Sequence, residues 1–384
     1  MNRELTATEL MTLIEKVFHV QSTDRSLAIL IDLPDQQAPD TQAWKDRRQM
    51  ASSWAKSLQK NPGAHPLEIH LVVYRNVGRG NADLPESAWI VSPDRLPTSA
   101  DEPLAGEPIS FEHLFQSTSI WVAPTQFSAT APLKVAAKKY GFRAATMPGF
   151  SLAMVDALRL DYAQIHCRVL RLADLLDRAE SAYVLFEVDR SQRRELVLDL
   201  RFRTAHASSG ILQQPGMAGN LPSGEAYIVP YEGERAGTPS RTHGVLPVQL
   251  GQEVVSYEVE NNRALHALGE GPQAFEQRSA LQKEPAYGNL AELGLGVLSE
   301  LGVKPCGEIL LDEKLGLHIA FGRSDHFGGQ VGPQQFSRPE AVVHIDRVYL
   351  PSLQPRVAVQ AVDLELEGGS RIPLMRNGQY VIEF

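Results

Sequence analysis

Two histidines sit inside stretches that are otherwise apolar: His318 in "LGLHIAFG" and His344 in "AVVHIDRVYL". Side chains alternate along a strand, so His344 and Asp346 point the same way and Ile345 the other. An imidazole and a carboxylate side by side on a buried strand cost desolvation unless something pairs with them. A hydrogen-bonded His–Asp pair is one answer. A divalent cation is another, because neutral imidazole and carboxylate both ligate zinc, manganese or iron. Two more acids share the oddity. Glu225 leaves a Pro-Ser-Gly turn straight into an apolar strand in "GNLPSGEAYIVP", and Glu292 stands alone among small and apolar residues in "NLAELGLG". Two imidazoles and three carboxylates in such settings suit two divalent ions sharing a site. A pair of ions of that kind activates water and polarises a carbonyl, the needs of metal-assisted hydrolysis.

These residues must be carried by the second half of the chain, whose texture differs from the first. Up to about residue 181, strand-like and helix-like segments alternate. "SLAILIDLP" (26–34), "LEIHLVVY" (67–74) and "SIWVAPT" (119–125) read as strands. Residues 41–60 and 131–141 carry apolar residues at helical spacing, and 151–181 is the longest helical pattern, broken once. Such alternation predicts an α/β domain with a largely parallel sheet. From 182 to 384, strand-like runs dominate and glycines mark the turns, beginning with a hairpin across the polar "RSQRR". The segment "GNLAELGLGVLSELG" is a helical candidate there, although its glycines leave that reading open. The expected fold is thus an α/β N-terminal domain (1–181) followed by a β-rich α+β metal-binding domain (182–384).

With 384 residues and 43% hydrophobic content, the chain can bury the cores of about two domains. A net charge of −9 without a long basic tract argues against nucleic acid or an anionic membrane as partner. Two cysteines make no disulfide framework and lack the spacing of a thiolate metal site. No apolar run approaches the roughly 18 residues of a membrane span. The first residues read as an amphipathic helix rather than a signal peptide, so a reducing cytoplasm is expected. "NVGRGNADLP" lacks a complete dinucleotide fingerprint, and Ser208 and Ser209 near His206 show no nucleophile elbow.

Taken in order, "GNLPSGEAYIVP", "NLAELGLG", "DEKLGLHIAFG" and "VVHIDRVY" resemble the metal-binding blocks of the thermophilic metallo-aminopeptidases, the aminopeptidase T and aminopeptidase S type. The resemblance covers roughly residues 190–350 and extends weakly into the first half. It implies a homodimeric exopeptidase that takes a peptide or small-molecule substrate. Two divalent ions (zinc, cobalt or manganese) would be held by Glu225, Glu292, His318, His344 and Asp346, with Glu225 also among the catalytic residues. One position departs from the pattern. Where the family places a tyrosine, seven residues after its first ligand histidine, this chain has Asp325 followed by His326. Aspartate can ligate a metal and histidine can ligate or carry a proton, so both are candidate catalytic residues. A carboxylate does not donate the hydrogen bond that a phenol does. The iron-dependent enzymes that open dihydroxypyridine rings share this scaffold, and for them the resemblance implies one Fe(II) on His318, His344 and Asp346. A non-catalytic metal-binding relative is the third reading.

Overall fold

The computed structural model describes residues 4–61, 67–102, 104 and 106–384. The chain divides into two compact units. One comprises the chain up to Gln164 together with Gly210–Ser223, and the other Ile165–Ser209 together with Gly224–Phe384. The division therefore does not fall at one point near residue 181. The helix Tyr162–Asp177 lies mostly in the second unit, and 210–223 returns to the first. That return is made by a three-residue strand, Ala218–Asn220, paired parallel with Arg143–Thr146. A strand so short leaves no periodic mark in the sequence.

The first unit is built on a seven-stranded sheet. Its order is Ala218–Asn220, Arg143–Thr146, Ile120–Ala123, Ser26–Leu33, Glu68–Arg75, Ser87–Val91, Ile109–Ser110. The first five run parallel, and the last two are added through antiparallel pairings, so Ser87–Val91 alone runs opposite to the rest. Ser26–Leu33 lies near the middle and every residue in it is buried, which is why it reads as a continuous apolar run. Its one acid, Asp32, accepts hydrogen bonds from the backbone N–H groups of Gln126 (2.7 Å) and Phe127 (2.9 Å) and from Trp44 Nε1 (3.2 Å). The helix Gln42–Lys60 is capped by the Thr41 side chain and buries Trp44, Met50, Trp54 and Leu58. The helix Thr130–Tyr140 ends at Gly141, whose φ of 83° is the left-handed cap that favours glycine.

In the second unit there are two antiparallel sheets. The larger has eight strands: Arg263–Leu268, Glu253–Glu260, His243–Leu250, Gln192–Asp199, Ala179–Val188, Val357–Leu366, Arg371–Arg376 and Gln379–Tyr380. The smaller has five: His344–Val348, Leu317–Gly322, Leu290–Gly296, Glu225–Ile228 and His206–Ser208. Two expectations are corrected here. The helical pattern over 151–181 ends at Asp177, and the first strand of the hairpin starts at Ala179. The segment 288–302 is not a helix: Leu290–Gly296 is a strand buried on both faces, followed by a short 3-10 turn, Leu298–Leu301. The close approach of neighbours explains the two glycines inside that strand. A Cβ at Gly294 would lie 1.9 Å from His318 Nε2, and one at Gly296 would lie 2.1 Å from the Lys314 carbonyl carbon. No helix among the described residues is long and apolar enough to cross a membrane.

Candidate metal centre

The register of the five-stranded sheet decides which side chains meet. Residues directly opposite each other in an antiparallel pair share a face, and alternate residues share it along a strand. Glu225 lies opposite Gly296, and Tyr227 opposite Gly294. Gly294 in turn lies opposite His318, and Glu292 opposite Ala320. Ala320 pairs with Asp346, and Gly322 with His344. All five proposed ligands therefore sit on one face, and the positions between them are Gly294, Gly296, Ala320 and Gly322. A register shift between Leu290 and Glu292 marks a bulge beside the central acid.

The side chains converge as the register requires. Glu225, Glu292 and His318 form one group able to hold a cation, and Glu292, His344 and Asp346 form a second, with the donor atoms of each group within 4.8 Å of one another. Glu292 belongs to both. Its Oε1 lies 3.2 Å from His318 Nε2 and its Oε2 lies 3.4 Å from His344 Nε2. His344 Nε2 is also 3.4 Å from Asp346 Oδ1, and His318 Nε2 is 3.6 Å from Glu225 Oε2. On the other side of each ring a backbone carbonyl waits. His344 Nδ1 is 2.8 Å from the Arg323 oxygen, and His318 Nδ1 is 3.4 Å from that of Gly316. With a proton kept at Nδ1 by those carbonyls, the Nε2 lone pair of each ring faces the carboxylates, which is the tautomer that ligates a metal.

Charge gives a second test of fit. Burial alone would push His318 down, but the hydrogen bond to Glu292 and the charges of Glu225, Glu292 and Asp346 raise it to about 9. His344 is likewise raised well above its usual range by Asp346 and Glu292, against the effect of burial. Burial works against the ionised Glu292 too, yet bonds to both imidazoles hold it well below the usual carboxylate range. The cluster thus demands positive charge. Glu225 Oε2 is buried and, among the described residues, has no hydrogen-bond partner. A buried carboxylate oxygen without a hydrogen bond, 3.6 Å from an imidazole nitrogen, is a donor of the kind a divalent cation takes. The donor set, three carboxylates and two imidazoles, suits zinc, cobalt, manganese or iron(II).

Asp325 and His326 are placed differently. The Asp325 carboxylate is 2.5 Å from Arg323 Nε and belongs to neither ligand group. Its neighbour His326 sets its ring edge-to-face against that of His344, with centroids 5.4 Å apart. Burial, together with the nearby His344 and Arg323, lowers His326 to about 4, so it is neutral at ordinary pH. The loop that carries both residues is pinned by Glu232, whose Oε1 accepts from Ser324 Oγ (2.5 Å) and Asn289 Nδ2 (2.7 Å) and whose Oε2 accepts from the Gln330 N–H (2.5 Å).

Three residues at the site escaped the sequence reading. Lys314 is 1% exposed and places Nζ 2.5 Å from Glu225 Oε1 while also binding Glu313. One ammonium does not neutralise two neighbouring acids, and desolvation, opposed by Lys314 but helped by Glu225 and Asp346, pushes the Glu313 carboxyl up to about 8. In sequence, "DEK" before a strand has the look of a solvated turn. Tyr227 stands two residues after Glu225 on the ligand face, and the charges of Glu292 and Glu225 add to burial in raising its phenol well above 10. Its period-two spacing from Glu225 was the available signal. This phenol is a hydrogen-bond donor on the ligand face, supplied from a different strand than the Asp325 loop.

No family model matches the chain. Among curated proteins it is similar to aminopeptidase T of Thermus aquaticus, 27% identical over an alignment of 191 residues that covers 42% of this chain. The match spans 40% of that protein's length. Among solved structures, 2,5-dihydroxypyridine dioxygenase from Pseudomonas putida KT2440 superposes with a TM-score of 0.60 at 14% identity, covering 99% of both chains. AmpT from Thermus thermophilus superposes with a TM-score of 0.56 at 15% identity, covering 98% of both. The structural likenesses concern the fold. Together with the sequence match they give the chain a distant relationship to the aminopeptidases.

Proposed function

We propose that the chain is a metallo-aminopeptidase: a hydrolase that removes N-terminal residues from peptides at a site holding two divalent ions. The observation that carries this reading is the position of Glu292, which turns one oxygen toward His318 and the other toward His344. A carboxylate shared in that way supports two adjacent cation places rather than one. When bound, such a pair of ions lowers the pKa of water and polarises a carbonyl. The chain's own residues do the rest. Glu225 and His318 would hold the deeper ion, and His344 and Asp346, whose side chains retain 19% and 11% exposure, the shallower one. Lys314 fixes the Glu225 carboxylate through Oε1 and leaves Oε2 for the cation. Tyr227 offers a phenol O–H toward a developing negative charge on the substrate, and Glu313, half-buried beside Lys314 and outside both ligand groups, is a carboxyl able to accept and return a proton. The family resemblance adds a homodimer, to be checked by sedimentation.

The second reading is a ring-opening dioxygenase with one iron on His318, His344 and Asp346. The likeness in fold to the dihydroxypyridine enzyme supports it. The grouping of side chains favours the first reading, because His318 falls with Glu225 and Glu292 rather than with His344 and Asp346. The deciding experiment is to strip the protein, reconstitute it separately with zinc, cobalt, manganese and iron(II), and offer aminoacyl amides and dihydroxypyridines. Amide hydrolysis with two ions per chain is expected. Ring opening with one iron per chain, and no amide hydrolysis with any metal, would replace the first reading by the second.

A further inference from the structure

We infer that this site selects substrates whose metal-held residue carries a flat aromatic side chain, that is, peptides with N-terminal phenylalanine, tyrosine or tryptophan. The inference rests on the aminopeptidase reading and names its substrate class. It is carried by a continuous wall of rings beside the ligands. His206 stacks on Tyr227 with centroids 5.0 Å apart and planes at 20°. Tyr227 meets Phe327 edge-to-face at 4.8 Å and 62°. Phe327 then packs on His326 at 3.9 Å and meets His344 at 5.5 Å and 79°. Phe327 is the hub of the wall and is half-buried rather than covered.

The position of the wall matters as much as its composition. Glu225, Glu292 and His318 are buried, so the cluster opens on the side of His344 and Asp346, and Phe327 borders His344 there. Nothing about ligating a cation requires aromatic rings at that border. The wall is also held in place: His206 Nε2 is 2.9 Å from the Phe327 carbonyl oxygen, tying the loop to the edge strand, and Glu232 pins the same loop from the other end. A fixed, half-exposed aromatic surface next to a polar centre recognises another ring through offset or edge-to-face contact. It gives an aliphatic chain only area and gives a short side chain little.

The test is equilibrium binding to the metal-reconstituted protein, measured by calorimetry with the hydroxamates of L-phenylalanine, L-leucine, L-alanine and L-arginine. Phenylalanine hydroxamate should bind about tenfold tighter than the leucine compound and tighter still than the alanine one. In Phe327→Leu, which keeps apolar volume but loses the ring, the phenylalanine-to-leucine ratio should fall several-fold while metal content and thermal unfolding stay at parent values. Tyr227→Leu serves as a second variant should Phe327→Leu fail to fold, with the same expected loss. Equal binding of the phenylalanine and leucine compounds, a ratio unchanged in both variants, or a preference for arginine would overturn the inference. Failure of the aminopeptidase reading has a different signature: no hydrolysis of any aminoacyl amide, whatever the hydroxamate ratio.

Discussion

His318 carries the clearest consequence at the scale of single residues. Its pKa stands at about 9 against an ordinary 6.5, raised by Glu292, Glu225 and Asp346 in spite of burial. A group raised in the fold stabilises it below its unfolded pKa, and that contribution disappears as pH climbs through the folded value. Chelator-treated protein should therefore lose thermal stability between about pH 6.5 and 9, whereas the metal-loaded form, whose imidazoles carry no Nε2 proton, should not. A flat stability profile for the stripped protein across that window would contradict the arrangement. Lys314 supplies a second prediction. Replacing it by methionine leaves the buried Glu225 carboxylate without its cation, and breaking a buried pair in this way costs about 3–5 kcal/mol. Lys314→Met should unfold at markedly lower denaturant in the stripped form, and divalent metal should restore part of the loss. That these five side chains need partners was legible in the sequence, because a lone polar side chain in an apolar strand costs free energy and needs a reason; that they could share ions came from the family resemblance. Lys314 was not, because its neighbours in "DEK" are charged and hide its burial. The pairing of Asp325 with Arg323, two residues earlier, was equally invisible.

At the scale of elements, the five-stranded sheet positions the centre through what it omits. Gly294, Gly296, Ala320 and Gly322 carry no side chain beyond a methyl, so the middle of the ligand face is left to the donors. Gly294→Ala tests this directly, since the added Cβ would lie 1.9 Å from His318 Nε2 and must displace the ring. Elemental analysis should then show the ion of the Glu225, Glu292 and His318 group lost or much weakened, with the His344 and Asp346 side still occupied. Full occupancy of both would mean that His318 has room to move and that the register argument fails. Strand alternation made the shared face of His344 and Asp346 readable in advance. The same logic missed Leu290–Gly296 as a strand, because a segment buried on both faces has no alternation and its glycines answer to neighbours far away in sequence. The hairpin Ala179–Val188 and Gln192–Asp199 was readable from the polar turn between its strands.

At the scale of the whole molecule, every proposed ligand belongs to one unit. An ion at 100 times its dissociation constant adds about 2.7 kcal/mol to whatever binds it. Hydrogen exchange should accordingly slow in the strands around Glu225, Glu292, His318 and His344 on metal loading, with little change in the seven-stranded sheet of the other unit. Equal slowing throughout would show that the ions stabilise both alike. In that other sheet the notable residue is Asp32. Chain order reverses between Ser26–Leu33 and Ile120–Ala123, and the crevice at such a reversal is where open α/β sheets ordinarily receive a ligand. Here the crevice receives the chain's own carboxylate, seated on two backbone N–H groups that could otherwise greet a phosphate or a carboxylic acid. The crevice is, in effect, filled by a tethered guest: the strand that opens it also supplies its occupant.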